Sequence, residues 1–265
     1  MPTIDIAEQS IFYTDKGSGD ALLILADHLH SSHAYTREID HFAERFRVVS
    51  FDYPGTGQST RGVKYLDEYQ VDLWGFRADL ACHLLMALDI GACSVLGTGG
   101  GALGALHFAG KQARQHELMT RWVIADSFLA DLDGRTLHRT LDVREHYYMR
   151  RGRWLEEQHG EDWRQVVDWD TAFLREVADR GGYKVPDFVL KSIACPVLLT
   201  GHLQDPIRPG IAQEYARISG LVPDCTIYLD SSAGHPHIEQ PFMWSNPARF
   251  FQIVDLFLTV GTEQV

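Results

Sequence analysis

The feature of this sequence that most constrains its fold is an alternation of short apolar runs with longer amphipathic ones. The predicted strands are residues 11–14, 22–26, 47–51, 94–96, 122–125, 197–200 and 226–229. Several of these runs are apolar throughout, which is typical of strands buried on both faces of a parallel sheet. The pattern therefore predicts a sheet that is covered by helices on both sides.

Amphipathic runs lie between the predicted strands and indicate helices. They cover residues 69–88, 102–113, 211–218 and 250–258. Alternation of strands with helices produces right-handed crossovers between parallel strands. We therefore expect an α/β fold with an open, doubly wound and mainly parallel sheet.

One segment, residues 129–191, breaks this alternation. It has helical patterns, no convincing strand, and many arginine and tryptophan residues. An all-helical insertion at this point would lie over the carboxyl ends of the strands, where open α/β sheets bind ligands. We expect a core of residues 1–128 and 192–265, a helical cap of residues 129–191, and a small-molecule ligand in a pocket between them.

Composition excludes several classes of partner. The chain has 265 residues, 45% of them hydrophobic, and a net charge of −12, so nucleic acid is not expected as a partner. No apolar run approaches the ~20 residues of a membrane span, and the N-terminus has no apolar core of a signal peptide. The four cysteines are widely spaced and indicate neither a disulfide framework nor a metal cluster. We expect a cytoplasmic protein and leave open whether it forms a homodimer.

Three loops that follow predicted strands carry the residues of chemical interest. Their sequences are GTGGG at 97–101, GHLQDP at 201–206 and AGHPH at 233–237. An elbow, then an acid, then a histidine is the chain order of one known type of catalytic triad. A fourth marker is DYPGTGQS at 52–59.

These four motifs resemble the α/β-hydrolase superfamily, in particular its branch with a helical cap, and the resemblance runs from residue 11 to residue 258. It implies a hydrolase-like enzyme in which His235 is the catalytic histidine and Asp205 its acid. Asp126, after the strand at 122–125, is an alternative acid, and we favour Asp205 because its Gly201 and Pro206 context matches better. The resemblance also implies that the backbone N–H of Gly100 is an oxyanion donor.

Two departures from the superfamily pattern affect the mechanism. Gly99 stands where the elbow G-x-S-x-G has its nucleophilic serine, although a glycine accepts the positive φ of that turn. Asp27, followed by His28, stands where the superfamily has His-Gly on the oxyanion side. A carboxylate there opposes acyl transfer unless the side chain points away. The N-myc downstream-regulated branch is similar in both respects, and its members are not established hydrolases.

Other residues of these loops offer weaker candidates. Ser127 follows a strand near the elbow and could replace the missing nucleophile, although a loop hydrogen bond is the commoner role. His28, His30 and His202 are expected at the same edge of the sheet, but their spacing matches no usual metal site. We expect no metal and no cofactor, since the glycine-rich loop lacks the acid of a dinucleotide fingerprint.

The sequence leaves three functions open. The first is an enzyme that uses a His–Asp pair as general base without a serine, in hydrolase-like, lyase or cofactor-independent chemistry. The second is a ligand-binding protein that has kept the pocket and lost the chemistry. The third is a serine hydrolase inactivated at position 99, in which case Gly99→Ser should restore weak labelling by fluorophosphonates.

Overall fold

The computed structural model describes residues 2–6, 8–61, 72–115, 118–231 and 240–262. Eight strands form one sheet: β1 (Thr3–Ile6), β2 (Gln9–Gly17), β3 (Ala21–Leu25), β4 (Arg47–Phe51), β5 (Ala92–Thr98), β6 (Met119–Asp126), β9 (Val197–His202) and β10 (Cys225–Asp230). Two further strands, β7 (Asp131–Asp133) and β8 (Gly182–Lys184), pair with each other and, within the described ranges, with no strand of the main sheet.

The order of strands in the main sheet is β1-β2-β4-β3-β5-β6-β9-β10. Every pair from β4 to β10 is parallel, and only β1 with β2 and β2 with β4 are antiparallel. The predicted mainly parallel sheet is confirmed, and all seven predicted strands are present. The sequence reading missed β1, a short strand at the exposed edge of the sheet.

Helices flank the sheet and connect its strands. Their bounds are α1 (Thr36–Phe42), α2 (Leu73–Ala87), α3 (Gly100–Gln115), α4 (Gly134–Met149), α5 (Gly152–His159), α6 (Trp163–Asp179), α7 (Asp187–Ser192), α8 (Ile211–Ser219), α9 (Phe242–Ser245) and α10 (Pro247–Thr262). The predicted helix at 69–88 is observed from Leu73, where the side chain of Asp72 accepts the amide of Gly75 at 2.9 Å. Residues 69–71 lie outside the described part of the chain. Among the described helices, none is long and apolar enough to cross a membrane.

The prediction of an all-helical segment at 129–191 is wrong in one respect. The segment contains α4 to α7, but β7 and β8 form an antiparallel ribbon near its two ends. Each strand has three residues, too few to show a strand periodicity, and the pairing depends on residues about fifty positions apart in the sequence. The ribbon joins the start and the end of the insertion and does not extend the main sheet.

The core lies between the sheet and its helices and places the elbow. β3 is buried along its whole length, and α3 packs against it very closely. A Cβ on Gly101 would lie less than 3.0 Å from the carbonyl oxygen of Leu25, so the helix can approach β3 only because this residue is glycine. That approach brings the N-terminus of α3 next to the loop that follows β3.

Candidate active site

The turn between β5 and α3 has the geometry of a strand-to-helix elbow. Gly99 is its central residue, with φ of +55°, and its amide donates to the carbonyl of Asp126 at 3.0 Å. A Cβ at this position would lie less than 3.0 Å from both carboxylate oxygens of Asp27. Glycine is therefore favoured here by the backbone conformation, and it is required by the space that Asp27 occupies.

The carboxylate of Asp27 does not point away from the elbow. Its Oδ1 accepts the backbone N–H of Gly100 at 2.6 Å and the backbone N–H of His28 at 2.7 Å. One donor stands at the N-terminus of α3 and the other in the loop after β3, which is the arrangement of donors that binds an oxyanion in acyl transfer. Asp27 therefore occupies the position at which these two donors would bind an oxyanion.

The surroundings of Asp27 favour its charged form. Burial raises the pKa of this carboxyl, but His30, His28, the amide of Gly100 and Arg208 together outweigh burial and leave the pKa lower than usual. The amide of Asp27 donates to the hydroxyl of Tyr35 at 2.8 Å, and this hydrogen bond fixes the loop that carries the carboxylate. Asp27 is therefore ionised, and hydrogen bonds fix both its backbone and its carboxylate.

A His–Asp pair lies directly beside this carboxylate. Nδ1 of His28 is 2.8 Å from Oδ1 of Asp170, and the other oxygen of Asp170 accepts from Arg144. Because Arg144 and His28 hold the pKa of Asp170 well below its usual range despite burial, Asp170 is a carboxylate and can only accept. Nδ1 of His28 must then carry the proton, which leaves Nε2 with a lone pair.

Nε2 of His28 faces the elbow. It has no hydrogen-bond partner within the described ranges, and a Cβ on Gly100 would lie 2.9 Å from it and 3.2 Å from Oδ1 of Asp27. Burial lowers the pKa of His28 below its ordinary value, and Asp170 only partly offsets this effect. His28 is therefore a neutral base with a free nitrogen at the site.

A cavity of about 250 Å³ opens over these groups. Asp27, His28, Gly99 and Gly100 line it from the core, and much of the opposite wall is apolar side chains of the insertion, such as Leu137 and Leu141. Its lining also includes the cations Arg144, Arg151 and Arg208. The site can therefore hold a small, largely apolar molecule and stabilise negative charge on it.

The predicted acids Asp205 and Asp126 are placed differently from this pair. Oδ1 of Asp205 accepts the amides of Ile207 and Arg208 at 2.8 and 3.0 Å, and its Oδ2 accepts the guanidinium of Arg208 at 2.9 Å. Asp126 is fully buried beneath the elbow, where burial raises its pKa to about 6 although Thr98 and Thr200 donate to it. Neither carboxylate lines the cavity among its described residues.

His235 and Ser127 are two further residues of the predicted site. His235 lies in residues 232–239, outside the described part of the chain. Ser127 is fully buried, with φ of +51°, and its hydroxyl accepts the amide of Phe242 at 2.8 Å. This contact is a loop hydrogen bond that supports the start of α9.

Sequence analysis missed Asp170 and Arg144, although both carry a detectable signal. Buried residues of α6 recur at helical spacing, at Val166, Asp170, Phe173 and Val177. A charged residue in such an apolar stripe is unusual and indicates a buried partner. Arg144 follows the buried Leu137 and Leu141 of α4 at helical spacing. Within the described ranges no group of three or more histidine, cysteine or acidic side chains could hold a metal ion.

A scan against family models gives no match, and a sequence search of curated proteins gives none either.

Solved structures are similar at low sequence identity. MGS-M2, an alpha/beta hydrolase enzyme from a Medee basin deep-sea metagenome library, has a TM-score of 0.71 and 17% identity over 97% of each chain. E-2-(acetamidomethylene)succinate hydrolase has a TM-score of 0.70 and 18% identity, over 97% of this chain and 98% of that one. The enol-lactonase of Burkholderia xenovorans has a TM-score of 0.69 and 17% identity, over 97% of this chain and all of that one. Together with the strand order and the elbow, these likenesses show that the chain has the α/β-hydrolase fold.

Proposed function

We propose that this protein is an enzyme that performs hydrolase-like chemistry on a small organic substrate, with a His–Asp pair as general base and no serine nucleophile. The pair we assign is His28 with Asp170. The observation that carries the proposal is the unpartnered Nε2 of His28, which faces the elbow while Nδ1 is held by a carboxylate at 2.8 Å. A neutral imidazole oriented in this way is suited to take a proton from water or from substrate.

Each neighbour of His28 has a distinct part in the proposal. Asp170 is a positioning residue that fixes the tautomer and stabilises the imidazolium that forms when Nε2 takes a proton. Arg144 balances the second oxygen of Asp170, so that the pair carries no uncompensated buried charge. Because Asp170 and Arg144 both come from residues 129–191, we propose that this insertion acts as a cap that completes the site.

The cavity supports a substrate of modest size. Its volume of about 250 Å³ and its mainly apolar lining suit a small organic molecule, and its arginines suit one that carries or develops negative charge. Two of the structurally similar proteins are, by their names, a lactonase and a succinate-derivative hydrolase. Such names favour small ester-like or carboxylate-bearing molecules as the first compounds to screen.

The test is a substrate screen with matched variants. We expect His28→Ala to lower kcat by about 10²-fold or more, because a positioned general base contributes that much. The exposed His33 provides the control His33→Ala, which should leave kcat unchanged. Full activity of His28→Ala, together with loss of activity in His235→Ala, would contradict the assignment and return the base to the loop at 233–237.

One observation favours a second candidate function. An oxyanion hole filled by Asp27 also fits a ligand-binding protein without catalysis, since acyl transfer needs that hole for substrate. The two functions differ in a single measurement. Binding of a screened compound, seen by calorimetry, without any product by mass spectrometry would support the binding protein.

A further inference from the structure

We infer that Asp27 is a covalent nucleophile, whose Oδ2 attacks a saturated carbon that carries an anionic leaving group and forms an alkyl ester on the enzyme. This inference rests on the proposed function for one part only, the use of His28 as the base that hydrolyses the ester. The substrate class would be alkyl electrophiles small enough for the cavity.

The two oxygens of Asp27 have different environments. Oδ1 is held by two backbone N–H groups, whereas Oδ2 accepts no hydrogen bond within the described ranges. Both oxygens lie less than 3.0 Å from the position that a Cβ on Gly99 would take, and Asp27 lines the cavity. A free carboxylate oxygen therefore stands where the elbow of this fold presents its nucleophile.

Occupation of the oxyanion hole decides what this nucleophile can attack. Attack on an acyl carbon places negative charge on the substrate oxygen, and that oxygen needs the N–H groups of Gly100 and His28. Both donors are already bound to Asp27. Displacement at a saturated carbon creates no such oxyanion, so this reaction is compatible with a filled hole.

The first step is a direct displacement. Oδ2 of Asp27 forms a bond to the substrate carbon, while the bond from that carbon to the leaving group breaks. The leaving group departs as an anion with the bonding electron pair. Arg208 lines the same cavity, where it is paired with Asp205 and also interacts with the charge of Asp27, so it is placed to stabilise the departing anion.

The second step is hydrolysis of the ester. Nε2 of His28 takes a proton from water, and the hydroxide oxygen bonds to Cγ of Asp27. The negative charge that develops on Oδ1 lies between the N–H groups of Gly100 and His28, which already hold that oxygen. The alcohol then leaves with its C–O bond electrons and takes the proton from His28, and the carboxyl proton of Asp27 passes to solvent.

The N–H groups of Gly100 and His28 therefore stabilise negative charge in the second step, the hydrolysis, and not in the first step, the displacement. His28 is suitably close, since its Nε2 and Oδ1 of Asp27 lie 2.9 and 3.2 Å from one point, the position of a Cβ on Gly100. Gly100 leaves that point empty. The run of glycines at 99 and 100 makes room for the two reacting side chains.

The experiment uses n-alkyl bromides from bromoethane to 1-bromohexane. Wild-type protein in a single turnover in H₂¹⁸O should place ¹⁸O in the carboxylate of Asp27 and leave the first alcohol unlabelled. His28→Ala should accumulate the ester, seen as an alkyl mass increment on the peptide that contains Asp27. Asp27→Asn should show neither signal, and the exposed Asp168→Asn should behave as wild type.

The outcomes separate this inference from the proposed function. Label in the first alcohol, with Asp27 unlabelled and turnover dependent on His28, would overturn the nucleophile and keep the general base. An ester that hydrolyses equally fast in wild type and His28→Ala would support the nucleophile and refute His28 as the base. No ester and no label at Asp27 with any bromide would overturn the inference.

Discussion

The carboxylate of Asp27 occupies the space that a side chain on Gly99 would need. The two residues come from different strand ends, seventy-two positions apart in the sequence, yet a Cβ on one would lie less than 3.0 Å from the other. Gly99 and Asp27 are therefore parts of one arrangement. A serine introduced at position 99 alone would meet the Asp27 carboxylate.

Fluorophosphonate labelling tests this pairing. We expect no labelling of wild type, and none of Gly99→Ser, because the new side chain would meet Asp27 and the oxyanion donors are occupied. The sequence alone predicts weak labelling of Gly99→Ser, whereas the structure predicts none. The double variant Asp27→Gly/Gly99→Ser frees the N–H groups of Gly100 and His28 from the carboxylate. We expect fluorophosphonates to label the new serine of this variant, provided that a base lies within its reach.

Labelling is measured by mass spectrometry on samples whose fold is checked by circular dichroism. Strong labelling of Gly99→Ser alone would mean that Asp27 moves aside easily, and would contradict the pairing. Strong labelling of the unmodified protein would show that another residue, such as Ser127, acts as a nucleophile.

Stability provides a second test at the elbow. Gly99→Ala should lower the free energy of unfolding by about 2 kcal/mol, since alanine is strained at φ of +55° and its Cβ meets Asp27. Gly91→Ala is the matched control, because a Cβ there meets nothing within 4 Å and should change stability by no more than about 0.5 kcal/mol. Urea denaturation measures both.

The double variant Asp27→Gly/Gly99→Ala separates the backbone strain at position 99 from the steric clash with Asp27. Without the Asp27 side chain, the part of the unfolding free energy that the clash removes should be recovered, and the loss caused by backbone strain should remain. Additive effects in this cycle would show that the two side chains do not compete for space.

The pH dependence of kcat tests the role of Asp170. The base form of His28 is present above its pKa, and burial lowers that pKa, so activity should persist below pH 6.5. The carboxylate of Asp170 raises the pKa of His28, so Asp170→Asn should move the acid limb of the profile to lower pH. The same variant should reduce kcat at least about tenfold, because the imidazole loses its fixed tautomer.

The control for this prediction is Asp168→Asn, an exposed carboxylate on the same helix. Its profile should match wild type. A reduced kcat with an unchanged acid limb in Asp170→Asn would indicate that Asp170 only supports the packing of α6.

Acid stability should depend on His159, whose Nδ1 accepts the amide of Gly57 at 2.9 Å. Burial lowers the pKa of His159 to about 4, whereas the unfolded chain takes up this proton near pH 6.5. The unfolded state therefore binds more protons in this window, and stability is lost as pH falls from 6.5 to 4, by up to about 3 kcal/mol. His159→Gln should remove part of that slope, while the exposed His83→Gln should not.

Much of the fold was readable from the sequence because it depends on local patterns. Apolar runs of strand length and amphipathic runs of helix length gave all seven predicted strands and the main helices of the core. The elements that were missed include β1 and the β7–β8 ribbon, whose strands are only three or four residues long. β1 pairs with the adjacent β2, whereas the pairing of β7 with β8 joins residues about fifty positions apart in the sequence. Periodicity carries little signal in such short segments and none for such a distant pairing.

For the site, the sequence by itself determined that the elbow has no serine and that an acid stands at Asp27. Tertiary structure alone decided what these changes mean, because the position of a carboxylate relative to two backbone amides is a matter of packing. Helix α6 brings Asp170 to His28 across 142 positions of sequence, and α3 brings Gly100 to Asp27 across 73. A sequence motif records residue types in order, whereas a catalytic arrangement depends on distances that only the folded chain sets.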